Sequence, residues 1–187
     1  MKATCLAAIL AIGALAWAPH PLSAQDKGKT AAAELTSESQ AALKTLYGTA
    51  ALAKVLGPKA LAILVFPKIT KAGLGIGGQY GEGTLLKNNA AAAYYKTTGA
   101  SFGLQAGGQQ YGYAMFFMHE KALNEFTSAN GFEVGVGPSV VVVDEGMAKT
   151  TTTTTLKDDI YAFVFGQKGL MAGLGIQGNK ITPITPK

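Results

Sequence analysis

The pattern Ala-Gly-Leu-Gly-Ile occurs twice in this chain, at Ala72–Ile76 and again at Ala172–Ile176. In an extended strand successive residues point to opposite faces, so each copy has one apolar face and one face of bare glycine. A strand with a bare face lets another backbone or an aromatic ring come close, and it bends readily. Two such strands, one near each end of the domain, predict a sheet that curls until its ends approach. The rest of the chain supplies further strands. Leu61–Phe66 is a fully apolar run closed by Pro67, and Thr70–Leu86 and residues 91–107 continue the extended pattern. Gln110–His119 is apolar on both faces and is expected at the centre of the sheet. Phe132–Gly137, Ser139–Asp144, the β-branched run Thr150–Thr155, Asp159–Phe165 and Gly169–Gln177 complete the set.

Two helices are expected beside these strands. Ser37-Glu38-Ser39-Gln40 has the form of a capping box, in which Ser37 and Gln40 satisfy exposed amides reciprocally. Leu43, Leu46, Tyr47 and Ala50 follow at helical spacing, which predicts a helix from about Ser37 to Leu56 with Lys54 spoiling the stripe near its end. Gly57-Pro58 should stop it, since glycine accepts a left-handed cap and proline cannot continue a helix. A shorter helix is expected over Glu120–Asn130, with Ala122, Leu123 and Phe126 inward and Gly131 as its cap. The resulting class is α+β: a mainly antiparallel, strongly curved sheet or partial barrel with two packed helices.

The N-terminus has a different character. Lys2, the apolar run Leu6–Ala18 and the small Ala24 before Gln25-Asp26-Lys27 have the order of a secretory signal peptide over residues 1–24. The run is shorter than the ~20 residues of a membrane-spanning helix, and Pro19 and Pro21 follow it. Cys5 precedes the run and is out of place for lipid attachment. Residues 25–36 are polar and Ala-rich and read as a flexible leader, which leaves 37–187 as one domain. Export would place the protein in the periplasm or cell envelope, or outside the cell. Cys5 is the single cysteine, so the exported domain must be held by its core. A chain 48% hydrophobic and 14% charged can supply one.

Residues suited to catalysis are sparse. Gly73, Gly75, Gly78 and Gly173, Gly175, Gly178 match GxGxxG, yet each set lies inside a strand pattern and neither opens a helix, so both read as structural. His119, the only histidine past the signal segment, sits beside Glu120 at a strand–helix boundary and reads as a satisfied polar residue. One histidine without cysteine does not make a zinc site. Asp144-Glu145 and Asp158-Asp159 lack calcium-loop spacing. No catalytic residue, metal or cofactor is expected. Basic charge is the remaining signal: Lys+Arg total 16 against 11 Asp+Glu, and every one of the 16 is lysine. Lys54, Lys59, Lys68 and Lys71 bracket the first strand beside exposed turns. Lysines near an anionic membrane contribute about 1 kcal/mol each. With no arginine to read bases and no nucleic-acid motif, nucleic acid is not an expected partner.

Four segments then occur in a telling order: AILVFPKITKAGLGIGGQYGEGTLL (Ala62–Leu86), SFGLQAGGQQYGYAMFFMHEKALNEF (Ser101–Phe126), GFEVGVGPSVVVV (Gly131–Val143) and DIYAFVFGQKGLMAGLGIQGNKI (Asp159–Ile181). Together they resemble the successive blocks of the SYLF domain family. The resemblance implies a non-enzymatic lipid-binding domain. Eukaryotic relatives bind phosphoinositide-containing membranes, a yeast branch is named for actin binding, and bacterial members are typically exported. The expectation is therefore an exported protein that associates with anionic phospholipid membranes. Lys59, Lys68 and Lys71 would attract headgroups, and the loop Lys168-Gly169-Leu170-Met171 would offer Lys168 beside an apolar edge of Leu170 and Met171. The helix from Ser37 would help by exposing Leu43, Leu46 and Tyr47. Actin is not expected as a partner of an exported chain without accessory modules. Two other readings stay open: an integral outer-membrane barrel of eight strands, and an envelope protein that binds another protein through its sheet edge.

Overall fold

The computed structural model describes residues 24–129, 131–133, 140–143, 157–169 and 179–187. The first helix, α1 (Ala24–Thr49), starts well before Ser37. The residues read as a flexible leader are its first turns. Thr30-Ala31-Ala32-Ala33-Glu34-Leu35 is rich in strong helix formers, and Leu35 is buried, so propensity and packing agree there. Ser37 is thus inside the helix and caps nothing. Its neighbour Ser39 is fully buried: the hydroxyl donates to the Val65 carbonyl at 3.3 Å and lies 3.1 Å from the Thr84 hydroxyl. After a one-residue break at Ala50 (φ −121°, ψ 102°), α2 (Ala51–Leu56) follows and runs into a tight 3₁₀ turn, Gly57–Lys59. Gly57 has φ −47° and stays right-handed, so the expected left-handed cap is absent. Lys54 is exposed and leaves the apolar stripe of Leu52, Ala53 and Leu56 intact.

Two very long strands dominate the sheet. β1 (Ala62–Lys87) runs straight through Pro67, where a stop was expected, and β2 (Ala90–Phe117) joins the two segments read as separate strands. Asn88 (φ 50°) and Asn89 (φ 62°) form the two-residue turn between them, a conformation asparagine tolerates better than other side-chain-bearing residues. Pro67 survives because it sits in a bulge. The register passes from Phe66↔Tyr113 to Ile69↔Tyr111, so Pro67 and Lys68 together oppose Gly112 and no ladder bond from proline is needed. The third helix, α3 (Glu120–Ser128), ends before Gly131, and Ala129 takes the cap position. Three further short segments follow: β3 (Phe132–Glu133), β4 (Val140–Val143) and β5 (Ile160–Gly169). β6 (Lys180–Ile184) closes the order β3-β6-β2-β5-β4, with β1 paired to β2. Among the described residues, every pairing is antiparallel except β4 with β5. The strands expected at Thr150–Thr155 and Gly169–Gln177 lie largely outside the described residues, including the second Ala-Gly-Leu-Gly-Ile.

The fold class is as expected: α+β, mainly antiparallel and strongly curved, with three α-helices among the described residues where two were expected. The curvature comes from the β1–β2 hairpin folding over on itself. The N-terminal limb of β1 pairs with the C-terminal limb of β2, which β5 flanks, and the other limbs pair beside β6. One core lies inside the curl. Leu64, Phe66, Ile69, Tyr111, Tyr113, Met115 and Phe117 from one side meet Leu85, Tyr95 and Ile181 from the other. Phe126 of α3 joins them, its ring centroid 4.8 Å from Tyr95, 4.9 Å from Phe117 and 5.3 Å from Phe132. The second core lies on the outer face, where Leu43, Leu46, Leu52 and Leu56 cover Ile63, Val65, Leu86, Ala114, Phe116, Tyr161 and Phe163.

Inside the fold-over, the two limbs of β1 touch. A Cβ at Gly83 would lie 2.4 Å from the Val65 carbonyl oxygen and 2.6 Å from the Phe66 ring, and one at Gly81 would lie 2.8 Å from the Lys68 carbonyl. Both obstacles include backbone, which cannot rotate away. Gly83→Ala should therefore lower unfolding free energy by about 1–3 kcal/mol, as overpacking does. Gly78→Ala, whose nearest neighbour would be 3.9 Å away, should be neutral or slightly stabilising. Urea denaturation midpoints check both.

Candidate functional site

The first turns of α1 carry Lys27, Lys29 and Ala32, and they lie over the start of β2, at Tyr94, and the tail that follows β6. Thr36 anchors this contact: its hydroxyl donates to the Ala32 carbonyl at 2.8 Å and lies 3.0 Å from the Tyr94 hydroxyl. Between helix and tail is a cavity of about 660 Å³. That volume is in the range of small-molecule sites. Ala32, Tyr94, Ile184 and Pro186 form an apolar floor, and Lys27, Lys29 and Lys187 stand exposed at the rim. Among the described residues, no acidic side chain lines it. An apolar hollow with lysine side chains at its rim suits a molecule with an apolar body and an anionic end. Lysine is also well suited to the rim, because its methylene stem can lie along apolar surface while the ammonium stays in water.

Sequence reasoning missed this site because its helical half was read as a leader. The available signal was Lys27-Gly28-Lys29 directly before an alanine run of high helix propensity.

The expected lysines are distributed differently. Lys59 is exposed on the 3₁₀ turn. Lys68 is exposed in the β1 bulge, and Lys168 is exposed on β5 opposite Gln110, which in turn faces Thr70. A second bulge shapes this place: between Phe165↔Gly112 and Lys168↔Gln110, Gly166 takes φ 60°, a left-handed conformation that favours glycine. The two bulges bring Lys68 and Lys168 to either side of the same stretch of β2, about 10 Å apart at strand spacing. Lys59 sits at the far end of the β1 limb, about 20 Å from Lys68. Lys71, expected at an exposed turn, is only 4% exposed, because alternation from Ile69 turns it into the curl. Leu43 and Leu46, expected to face a bilayer, are 5% and 1% exposed and belong to the outer core. Leu170 and Met171 lie outside the described residues.

The remaining motifs are placed as follows. Gly73, Gly75 and Gly78 lie within β1, not before a helix. Gly173, Gly175 and Gly178 lie outside the described residues, as do Asp144 and Glu145. His119 Nδ1 lies 3.2 Å from Asp159 Oδ1, joining the end of β2 to the start of β5. Asp158 bonds the Tyr161 hydroxyl through its backbone N–H and its carboxylate. Among the described residues, no three acidic, histidine or cysteine side chains converge on a point that could hold a metal.

The far end of the curl, near the fold-over, is polar. Tyr111 donates to Gln79 Oε1 at 3.0 Å across the interior. Burial pushes the Tyr111 hydroxyl up to about 12 and raises that of Tyr113 further. A tyrosine whose folded pKa exceeds its unfolded value of about 10 favours the folded state fully below that value and loses the contribution as pH rises through the folded pKa. Stability should therefore fall between about pH 10 and pH 12, with late tyrosinate absorbance accompanying unfolding. Tyr111→Phe should shrink the fall in that window.

Residues 98–185 match the family described as Ysc84, Las17-binding protein actin regulator. No curated protein matches the chain. The matched stretch begins within β2, so it omits β1, whose limbs complete the sheet.

Proposed function

We propose, because residues 98–185 of this chain belong to the Ysc84, or SYLF, family, that the protein is a non-enzymatic, exported lipid-associating domain that binds anionic phospholipid surfaces. The observation that carries the reading is the cavity of about 660 Å³ with an apolar floor and three lysines at its rim. An acyl chain or other apolar segment would occupy the floor, and the lysines would hold the anionic end. Lys68 and Lys168 supply a second cationic spot without a cavity, so their part is attraction alone. Lys59 stands apart from both.

The printed family description names Las17 binding and actin regulation. Lipid contact is the better-supported reading here, since a mostly apolar hollow with lysine side chains at its rim suits an amphiphile more than a folded protein surface. The covering of the outer sheet face supports a surface-associated protein over an integral barrel. That face, which a membrane barrel turns to lipid, is buried beneath Leu43, Leu46, Leu52 and Leu56. No helix among the described residues is long and apolar enough to cross a membrane.

Co-sedimentation with vesicles tests the reading. Binding should be strong to phosphatidylcholine vesicles containing phosphatidylglycerol, weak to phosphatidylcholine alone, and should decline as salt shortens the Debye length. Replacing Lys27, Lys29 and Lys187 together by glutamine removes roughly three contributions of about 1 kcal/mol, so affinity should fall on the order of a hundredfold. Lys68→Gln with Lys168→Gln should cost less. Equal binding to neutral and anionic vesicles would remove the electrostatic part of the proposal, and an unaffected triple variant would remove the cavity from it.

A further inference from the structure

A second cavity, of about 390 Å³, lies toward the other end of α1. Four parts of the chain meet there: Tyr47 of α1, Pro58 of the 3₁₀ turn, Ile63 at the start of β1, and Leu86, Asn88 and Asn89 where β1 ends and turns. Its volume falls within the range of small-molecule sites. It shares no lining residue with the groove between α1 and the tail. Its chemistry also differs, because among the described residues no charged side chain lines it. Lys59 and Lys87 neighbour the lining in sequence and are not part of it.

The polar side chains at this cavity exceed what the local fold requires. Asn88 and Asn89 both take positive φ, and asparagine followed by glycine is the pair such a turn prefers. Glycine would serve the backbone at Asn89 at least as well, so the turn does not need that carboxamide. Gly57 keeps a right-handed φ of −47°, which any residue adopts. Its lack of a side chain is explained by Tyr47 instead: a Cβ at Gly57 would lie 2.8 Å from Tyr47 Cζ and closer still to the hydroxyl oxygen. The same ring packs on Phe116, with centroids 6.4 Å apart. Gln40 Nε2 donates to the Asn89 main-chain carbonyl at 2.7 Å and ties the turn to α1, so the wall is held in place. The Tyr47 hydroxyl and the carboxamides of Asn88 and Asn89 make no hydrogen bond to another described residue.

We infer that this cavity binds a small neutral polyol, with a pyranose sugar as the form that fits. Each carboxamide offers a donor pair and an acceptor, and the tyrosine hydroxyl offers one of each, which complements adjacent hydroxyl groups. Pro58 and the buried Ile63 and Leu86 supply carbon surface for the C–H face of such a ring. An anion would find no cation on the described wall, and a hydrocarbon would leave the carboxamides without partners in a confined space. Burial raises the Tyr47 hydroxyl above the usual tyrosine range, so it stays a neutral donor. The inference does not rest on the lipid reading, and either can fail without the other.

The test is ¹⁵N NMR of the full chain titrated with glucose, galactose, mannose or N-acetylglucosamine, and with cyclohexanol as a ring bearing a single hydroxyl. At least one sugar should give saturable shifts at the side-chain NH₂ groups of Asn88 and Asn89 and at the backbone amides of Lys59 and Ala60. Asn89→Gly keeps the turn and Tyr47→Phe keeps the ring, so both should fold. Each should weaken binding of that sugar roughly three- to tenfold, the effect of one lost hydrogen bond. Lys121→Gln, on the exposed face of α3, should leave it unchanged. The inference is overturned if none of the four sugars gives saturable shifts at these groups, as a crevice filled by water alone would behave. It is equally overturned if cyclohexanol binds there as tightly as the best sugar, or if Asn89→Gly and Tyr47→Phe both bind that sugar as well as the wild type.

Discussion

Where Gly83 lies against the Val65 carbonyl, two parts of one strand approach at a distance that leaves no room for a side chain. Ser39 of α1 bonds at this seam, touching Val65 on one limb and Thr84 on the other. The helix therefore lies across the seam and holds both limbs. From that contact the remaining geometry follows. The fold-over encloses the aromatic interior and brings Gln79 across to Tyr111. It also places Tyr94 beneath the first turns of α1.

Much of this was legible in the residues. Glycine with apolar alternation announced curvature, and the two apolar faces of Gln110–His119 announced a central strand. β2 does hold the centre, with β1 on one side and β5 and β6 on the other. What local pattern could not convey was continuity. Pro67 ends most strands, but a bulge opposite Gly112 removes the need for its missing donor, so tertiary pairing overrode the local signal. The same limit explains the seam. Ala-Gly-Leu-Gly-Ile was expected to allow a close approach, and Gly73 does meet backbone, a Cβ there lying 2.3 Å from the Gly77 Cα; the limb-to-limb contact, however, is made by Gly81 and Gly83.

Site prediction failed for a related reason. Lysines were assigned to turns by their neighbours in sequence, but exposure depends on which face of a strand turns inward. Lys68 and Lys71 are three residues apart on β1, and the bulge between Phe66 and Ile69 sets their phase. One is exposed and the other buried. The residues of the rim, Lys27, Lys29 and Lys187, come from the two ends of the described chain. No spacing rule joins them; only the packing of α1 against the tail after β6 does.

Hydrogen–deuterium exchange of the full chain with and without phosphatidylglycerol-containing vesicles addresses the main functional claim most directly. The account predicts slowed exchange in residues 27–36 and 181–187, where helix and tail enclose the groove, with little change around the 3₁₀ turn at Gly57–Lys59. Protection centred on that turn, or unaltered exchange in the groove while the protein is vesicle-bound, would contradict it.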